Sequence, residues 1–390
     1  METVYLTSLH LKHGGVEFVV SKLANELSKQ NMNVVILCTY NFGLPAYAIS
    51  DKVEIRYLTN LKPNRAEIKD SINSKNLYKL MIEIFRSLYI LFFKYFKLAQ
   101  SFSRIDKGTI IASRHEDAII LSLFGKRTTR KIAHIHFDFK TRPRMERQMR
   151  YLYRNIDCVV SLTGIMRDEI RKIFVNQKNK PQVVAIPNFI EKSVYTDDLK
   201  KDPIIVAVGR LHNDKGFDRL IKIFAELPNE FPDWTLEIIG DGELKSDLMK
   251  IAKEFGVGDQ VRFLGSLTNS EVRRKMRTSS VYAMTSISEG FGVVLVEAME
   301  EHLPVIAYDV RVGPRELVCD GVTGYLVPDG DSKLFKEKLA CLMQDANLRK
   351  IMGTEAAMSA RKYHKENVIE SWIKVIDENL ESIMNDDFSY

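Results

Sequence analysis

The sequence reads as an α/β protein made of two doubly wound parallel sheets. Three features point there. Apolar, strand-like runs alternate with amphipathic helical stretches along most of the 390 residues. In the second half those runs are continuously apolar, as in strands covered on both faces. The length is enough for two ordinary domains, each with its own core. A composition of 45% hydrophobic and 28% charged residues excludes disordered and fibrous classes.

V-Y-L-T-S-L opens the chain as a strand and Gly14-Gly15 turns it. V-E-F-V-V-S-K-L-A-N-E-L then has helical periodicity, and V-V-I-L-C is the next strand. Further strands are expected at 110–112, 132–135, 159–162 and 183–186. The stretch after Ile186, P-N-F-I-E-K-S-V-Y-T-D-D-L-K-K-D-P, is polar, holds two prolines and reads as a linker. From Ile204 a second run begins: I-I-V-A-V-G, L-E-I-I-G, V-R-F-L-G, S-V-Y-A-M, P-V-I-A-Y and G-Y-L-V-P, each followed by a helical stretch. The expected domains are 1–188 and 202–365, with a last helix, 366–390, packing back on the first. Ligands of such sheets bind at the carboxyl ends of strands, which predicts a site in a cleft where the two sheets face each other.

Residues 75–104 break this rhythm. The longest uncharged run there, Ser87–Phe93, is far short of the roughly 20 residues that span a bilayer. On a helical wheel Lys79, Glu83, Arg86, Lys94 and Lys97 fall in an arc of about 80°, and the rest is apolar and heavily aromatic. Two readings follow: a helix half-buried in its domain, or one lying on a membrane surface with lysines at the headgroups. Charge is uneven as well. Residues 1–200 carry 33 Lys and Arg against 19 Asp and Glu, whereas residues 201–390 carry 24 against 32. A basic first half fits an anionic partner, either nucleic acid or a membrane leaflet. Four cysteines without C-x-x-C pairing suggest buried thiols in a reducing cytoplasm. The first ten residues show no signal-peptide pattern.

The chemistry concentrates at strand ends. In S-E-G-F-G-V-V-L-V-E-A, residues 288–298, Glu289 sits on a turn and Glu297 two helical turns beyond it. The amides of Gly290, Phe291, Gly292 and Val293 would lie at a helix's positive end, a ready anion site. A carboxylate at Glu297, too far along to cap the helix, suits a ribose diol, and Glu289 suits sugar hydroxyls. V-G-R-L-H-N-D-K-G-F-D, 208–218, presents Arg210 and Lys215 around another such turn, a fit for diphosphate. Gly14 and Gly15 permit close backbone approach, though a tight structural turn accounts for them equally well. The fuller dinucleotide fingerprint G-x-G-x-x-G is missing there. The D-x-D at Asp329-Gly330-Asp331 begins a helix and reads as capping rather than metal ligation.

Together these segments resemble glycosyltransferase family 4, retaining enzymes of the two-domain GT-B fold. The resemblance rests on G-G-V-E at 14–17, A-I-P-N at 185–188, V-G-R-L-H-N-D-K-G at 208–216 and I-I-G-D-G-E at 238–243. It continues through V-R-F-L-G at 261–265, 288–298 itself and D-G-V-T-G-Y-L-V-P at 320–328. It is dense from 183 to 330 and thin from 40 to 180. It implies a nucleotide-sugar donor, UDP-linked in most of the family, bound by the second domain, and a glycan or lipid-linked acceptor met by the first. By the same resemblance Glu297 binds the ribose, Glu289 the transferred hexose, and Arg210 and Lys215 the diphosphate. The backbone near Leu264 meets the base, and Gly15 approaches the phosphates. The family's usual first-domain histidine corresponds to His134 or His136 in K-I-A-H-I-H-F-D; alternation puts both on one face, and His136 lies nearer the strand end.

Two cations and a row of helix amides could neutralise a diphosphate without metal, so no metal or cofactor is expected. Cytoplasmic location, peripheral at the inner face of the membrane, and work on a surface polysaccharide follow from the family and the aromatic helix. The nearest rival is a GT-B sugar-nucleotide epimerase, which leaves the basic, aromatic first half without a role. A nicotinamide dehydrogenase lacks its fingerprint. A nucleic-acid binder gives no reason for Glu289, Glu297, Arg210 and Lys215, so no nucleic acid is expected as partner.

Overall fold

The computed structural model describes residues 2–193 and 201–378. The middle of the expected linker, 194–200, and the expected helix beyond residue 378 lie outside them. Among the described residues the chain divides into two compact units. One comprises 2–161, 167–185 and 371–378, the other 162–166, 186–193 and 201–370.

The first unit begins with β1 (Thr3–Ser8), α1 (Gly15–Leu27), β2 (Asn33–Tyr40) and β3 (Val53–Thr59). Helices α2 (Arg65–Asn73) and α3 (Leu77–Arg104) follow, then β4 (Gly108–Ala112), α4 (His115–Phe124) and β5 (Thr129–Ile135). Helix α5 (Met145–Leu152), β6 (Cys158–Ser161), α6 (Gly164–Phe174) and β7 (Gln182–Ala185) complete the sequence. All seven strands are parallel, in the order β3-β2-β1-β4-β5-β6-β7. The order reverses between β1 and β4, which makes the crevice at their carboxyl ends the place for a ligand. Strand β3 has no counterpart in the sequence reading. It is an edge strand whose Glu54 and Arg56 are exposed and paired at 2.6 Å, so no continuous apolar run marks it.

Helix α3 corrects one expectation. Its charged arc turns partly inward: Glu83 and Lys94 are each only 9% exposed. Buried Asn64 donates to the Glu83 backbone oxygen at 2.8 Å and to its carboxylate at 2.6 Å. Ser87 donates to Asn64 at 2.6 Å. Burial pushes the carboxyl of Asp117 above its ordinary range, and the nearby Lys94 charge works against that rise. Lys94 is therefore no headgroup contact. The aromatic face, which a half-buried helix would turn to the core, points to solvent: Phe85 is 65% and Phe92 64% exposed. The basic run from 126 to 150 is also largely committed within the chain. Lys126 pairs with Asp106, Arg130 with Glu378, Lys140 and Arg150 with Glu146, and Arg142 with Glu116; Lys131 is buried.

The second unit runs β8 (Ile204–Val208), α7 (Phe217–Phe224), β9 (Thr235–Ile239), α8 (Lys245–Glu254), β10 (Val261–Gly265) and α9 (Asn269–Thr278). It continues with β11 (Val281–Met284), α10 (Val293–Glu300), β12 (Val305–Asp309), α11 (Pro314–Leu317) and β13 (Gly324–Pro328). Helices α12 (Ser332–Gln344), α13 (Ala346–Ala360) and α14 (Lys365–Ile376) follow, and α14 contributes residues from 371 onward to the first unit. The sheet order β10-β9-β8-β11-β12-β13, again all parallel, reverses between β8 and β11. Strands buried on both faces divide the core in two, one layer under α7, α8 and α12 and the other under α10 and α13.

Helix α10 is held at its far end by charge. Fully buried Glu301 accepts from Arg273 at 2.6 Å and Arg277 at 2.9 Å, and Glu300 accepts from the Ser193 amide at 2.7 Å. His364 lies 2.8 Å from Glu300. Asp331 caps α12 by accepting from the Leu334 amide at 3.0 Å, while Asp329 pairs with Arg219 at 2.8 Å, so both aspartates of the D-x-D have structural partners. Cys38 and Cys158 are buried thiols, but Cys341 is exposed on α12, against the expectation for it.

Candidate active site

In the second unit the reversal point gathers four predicted residues. Two loops meet there because glycine lets them. Gly216, after β8, has φ +60°, and a Cβ on it would lie 2.3 Å from the Thr285 carbonyl oxygen after β11. The contact is then stitched: Thr285 Oγ1 donates to Gly216 O at 2.8 Å and the Ile287 amide to Asp214 O at 2.8 Å. This closeness brings Lys215 Nζ to 2.5 Å from Glu289 Oε1, although 74 residues separate them in sequence. Ser286 Oγ donates to the same oxygen at 2.6 Å. The Glu289 side chain is 9% exposed and that of Lys215 20%, so the pair works in a shielded setting where charge is strong.

Beyond Glu289 the amides of Gly290 to Val293 make no backbone hydrogen bond among the described residues. They lie at the N-terminal end of α10, where unpaired donors and the helix dipole favour an anion. Phe291 contributes only through its backbone, because its ring is buried edge-on against Tyr363. Glu297 lies half-buried on the first turns of α10. Tyr282, buried on β11, has its hydroxyl pushed well above the ordinary range by burial and then by the charges of Glu289 and Glu297. Both carboxylates therefore act on one point of the strand. Arg210 is exposed, and its guanidinium makes no ion pair among the described residues. Leu264 falls where the β10 register against β9 slips between Phe263 and Gly265, which takes its backbone out of the ladder.

The first unit's reversal point is built differently. Gly14 and Gly15 begin α1, and the structure separates them. A Cβ on Gly14 would lie 2.1 Å from the Glu17 carboxylate, whereas one on Gly15 would meet nothing within 4 Å. Gly14 is thus needed by its own chain, and Gly15 leaves open space beside the backbone. Glu17 is 4% exposed, 3.6 Å from Arg114 and 3.8 Å from His10. At the end of β5, His134 and His136 meet in a tilted contact with ring centroids 3.8 Å apart, and Trp372 meets His134 edge-on at 4.9 Å. Burial, and then the nearby Arg114 charge, push His136 down to about 3, and burial holds His134 well below its usual range. Both rings are neutral at any physiological pH. Oε1 of Glu17, Nε of Arg114 and Nε2 of both histidines are buried without a hydrogen-bond partner. Such atoms can receive or donate to hydroxyls.

Glu17 and Arg114 were missed as site residues. Glu17 stood in the G-G-V-E motif, and Arg114 follows β4 directly, where the reversal rule applied to β4 would have found it. Of the two histidines, His134 ends inside β5 and His136 just past it.

Two family models match, Glycosyltransferase Family 4 over residues 13–193 and Glycosyl transferases group 1 over residues 189–358. The chain is a family 4-like glycosyltransferase. It is 29% identical over 372 residues to the amylovoran biosynthesis glycosyltransferase AmsD of Erwinia amylovora, covering 93% of this chain and 96% of that one. An uncharacterized glycosyltransferase of Haemophilus influenzae is 27% identical over 92% of this chain and 95% of its own length. Among solved structures, TarM of S. aureus, crystallised with UDP, fondaparinux and alpha-GlcNAc-glycerol, aligns with a TM-score of 0.77 at 14% identity, covering 97% of this chain and 100% of TarM. The lipopolysaccharide outer core galactosyltransferase WaaB aligns at 0.73 with 16% identity, over 97% of this chain and 100% of that one. The fold is GT-B, two Rossmann-like units, and the enzyme is a glycosyltransferase.

Proposed function

We propose that this transferase moves a hexose from a UDP-sugar to a glycan or lipid-linked acceptor with retention of anomeric configuration. The observation that carries the reading is the Lys215–Glu289 pair beside the unpaired amides of Gly290 to Val293. A cation and a row of donors converge where a diphosphate leaving group would develop charge. Arg210, exposed at the same strand end, supplies a second cation. UDP as the nucleotide is supported by the complexes of TarM and of Anabaena HepE with UDP, and Leu264's backbone is free to meet the base. Glu297 would take the ribose diol.

In this mechanism the bond from the sugar C1 to the β-phosphate oxygen breaks as an oxocarbenium-like state forms. The acceptor oxygen bonds to C1 on the same face, and its proton passes to the departing phosphate oxygen. No side chain has to act as a strong base, which fits a first unit whose histidines are held neutral. Their role is to accept and position hydroxyls, and Gly15 leaves its backbone open to a ligand's approach. Lys215, Arg210 and the amides stabilise the leaving diphosphate, and Glu289 orients Lys215 and binds a sugar hydroxyl. No metal is required, because those donors already supply the compensating charge.

A thermal-shift panel of UDP-, GDP- and ADP-hexoses in EDTA tests the donor. A ligand at 100 times its Kd should add about 2.7 kcal/mol of stability, seen for UDP-sugars alone. A shift only with GDP- or ADP-sugars, or only after magnesium is restored, would overturn the donor or the metal-free assignment. NMR of the product's anomeric proton reads retention or inversion directly.

A further inference from the structure

We propose that α3 is the element by which this enzyme lies on an anionic phospholipid bilayer. No helix among the described residues is long and apolar enough to cross a membrane, so the contact would be interfacial. The inference does not depend on the identity of the donor.

The helix buries a narrow mixed face, with apolar Ile90, Leu98 and Phe102 beside Glu83 and Lys94. On that face buried Asn64 bonds to Glu83 and half-buried Ser87 bonds to Asn64, which helps fix the helix's rotation. The opposite side exposes Tyr78, Met81, Phe85, Leu88, Phe92 and Phe96, each at least 48% accessible. At 100° per residue the exposed apolar residues, from Leu91 round to Ile82, cover an arc of roughly 180°. An ordinary surface helix would bury this face; here the packing of Ile90, Leu98 and Phe102 and the Asn64–Glu83 hydrogen bonds turn it outward. The chain has invested buried polar contacts in presenting aromatics outward.

The width and the charge of this face select the occupant. A seam against another helix needs a stripe of about 100° or less. A flat lipid surface wets a broader arc, with aromatic rings at the headgroup boundary. Along one border of the apolar face Lys79, Arg86, Lys97 and Arg104 fall within about 20° of each other on the same wheel. Beside the last two, a cavity of about 510 Å³ is lined by Arg56, Lys97, Arg104 and Lys107, with Asp106 as its one acid. Asp106 is already paired with Lys126. Lys79 and Arg86 are paired with Asp70 and Glu83, and Arg56 with Glu54, whereas Lys97, Arg104 and Lys107 make no ion pair among the described residues. These three complement phosphate headgroups, with the rings alongside for the acyl boundary.

Sedimentation with vesicles tests the proposal on the full chain. Vesicles of 30% phosphatidylglycerol in phosphatidylcholine should carry the protein down at low salt, pure phosphatidylcholine far less, and binding should fall as salt rises. Phe85→Glu with Phe92→Glu, both on exposed positions, should abolish sedimentation while leaving hydrolysis of a soluble UDP-sugar unchanged. Lys97→Ala and Arg104→Ala should each lower partitioning about fivefold, the factor that ~1 kcal/mol per surface cation represents. Lys94→Ala, a buried cation, should act on stability and not on partitioning. Protein that stays in the supernatant with anionic vesicles at low salt overturns the proposal. So does a lipid-free dimer that Phe85→Glu with Phe92→Glu converts to monomer, since the face would then be an interface between copies.

Discussion

The two sheets reverse strand order at the same kind of point, yet the residues there are provided for in opposite ways. Between β8 and β11 the charges already have partners: Lys215 holds Glu289 at 2.5 Å and Ser286 braces the same oxygen. At the ends of β1, β4 and β5 polar atoms are buried and unmatched, with Glu17, Arg114, His134 and His136 each leaving one without a hydrogen bond. Pairing keeps these groups of the second unit organised before anything binds, which suits the role proposed for them against a leaving diphosphate. Unpaired burial leaves the first unit with polar atoms that a ligand's hydroxyls would satisfy. The price is stability, and it can be measured.

The largest effect should come from the paired side. Lys215→Ala removes the cation that the proposed mechanism sets against the diphosphate and leaves a carboxylate with 9% exposure without its cation. A loss of about 100-fold or more in kcat/KM, ~3 kcal/mol, is expected, with melting displaced much less. Wild-type turnover in a folded variant would dissolve the contrast between the two points.

The next effect lies on the unmatched side and depends on pH. His136 is held at about 3 in the folded chain against an ordinary value of 6.5. Below pH 6.5 the unfolded chain takes up a proton that the folded chain refuses, so stability falls as pH falls toward 3. At pH 5 this amounts to about 2 kcal/mol relative to neutral pH, and His136→Gln should remove that part of the slope. Urea unfolding at pH 7 and pH 5 reads it. Equal slopes in wild type and variant would mean that the ring is not held neutral.

A smaller effect sharpens the role of Glu17. Arg114→Ala withdraws its nearest cation and should cost about 1–2 kcal/mol, discounted because the guanidinium is 32% exposed. Glu17→Gln added to Arg114→Ala should restore most of it. If it restores nothing, the two charges are not coupled.

Much of the second unit was legible because its signals are local. Continuous apolar strands and glycine turns lie within a few residues of each other, and 288–298 carries Glu289, the amides and Glu297 in one segment. The partner of Glu289 was less legible, since Lys215 meets it only through the Gly216–Thr285 contact. In the first unit the helical pattern of α3 was clear, but its rotation was set by Asn64, thirteen residues before the helix begins, and nothing in the wheel says which side Asn64 will take. Arg114 and Glu17 come together across β1 and β4, a pairing of distant segments that burial alone creates. Strand β3 was hidden by its own exposed charges.

The central claim is that charge at the β8 and β11 ends holds the donor diphosphate without help from metal. Calorimetric titration of UDP in EDTA, into wild type and into Lys215→Ala and Arg210→Ala, tests it most directly. Binding to wild type with a loss of about 10- to 150-fold in each variant, the 1.5–3 kcal/mol of a charge-assisted contact, is the predicted result. Equal affinity in all three proteins, or no binding until magnesium is added, would contradict it.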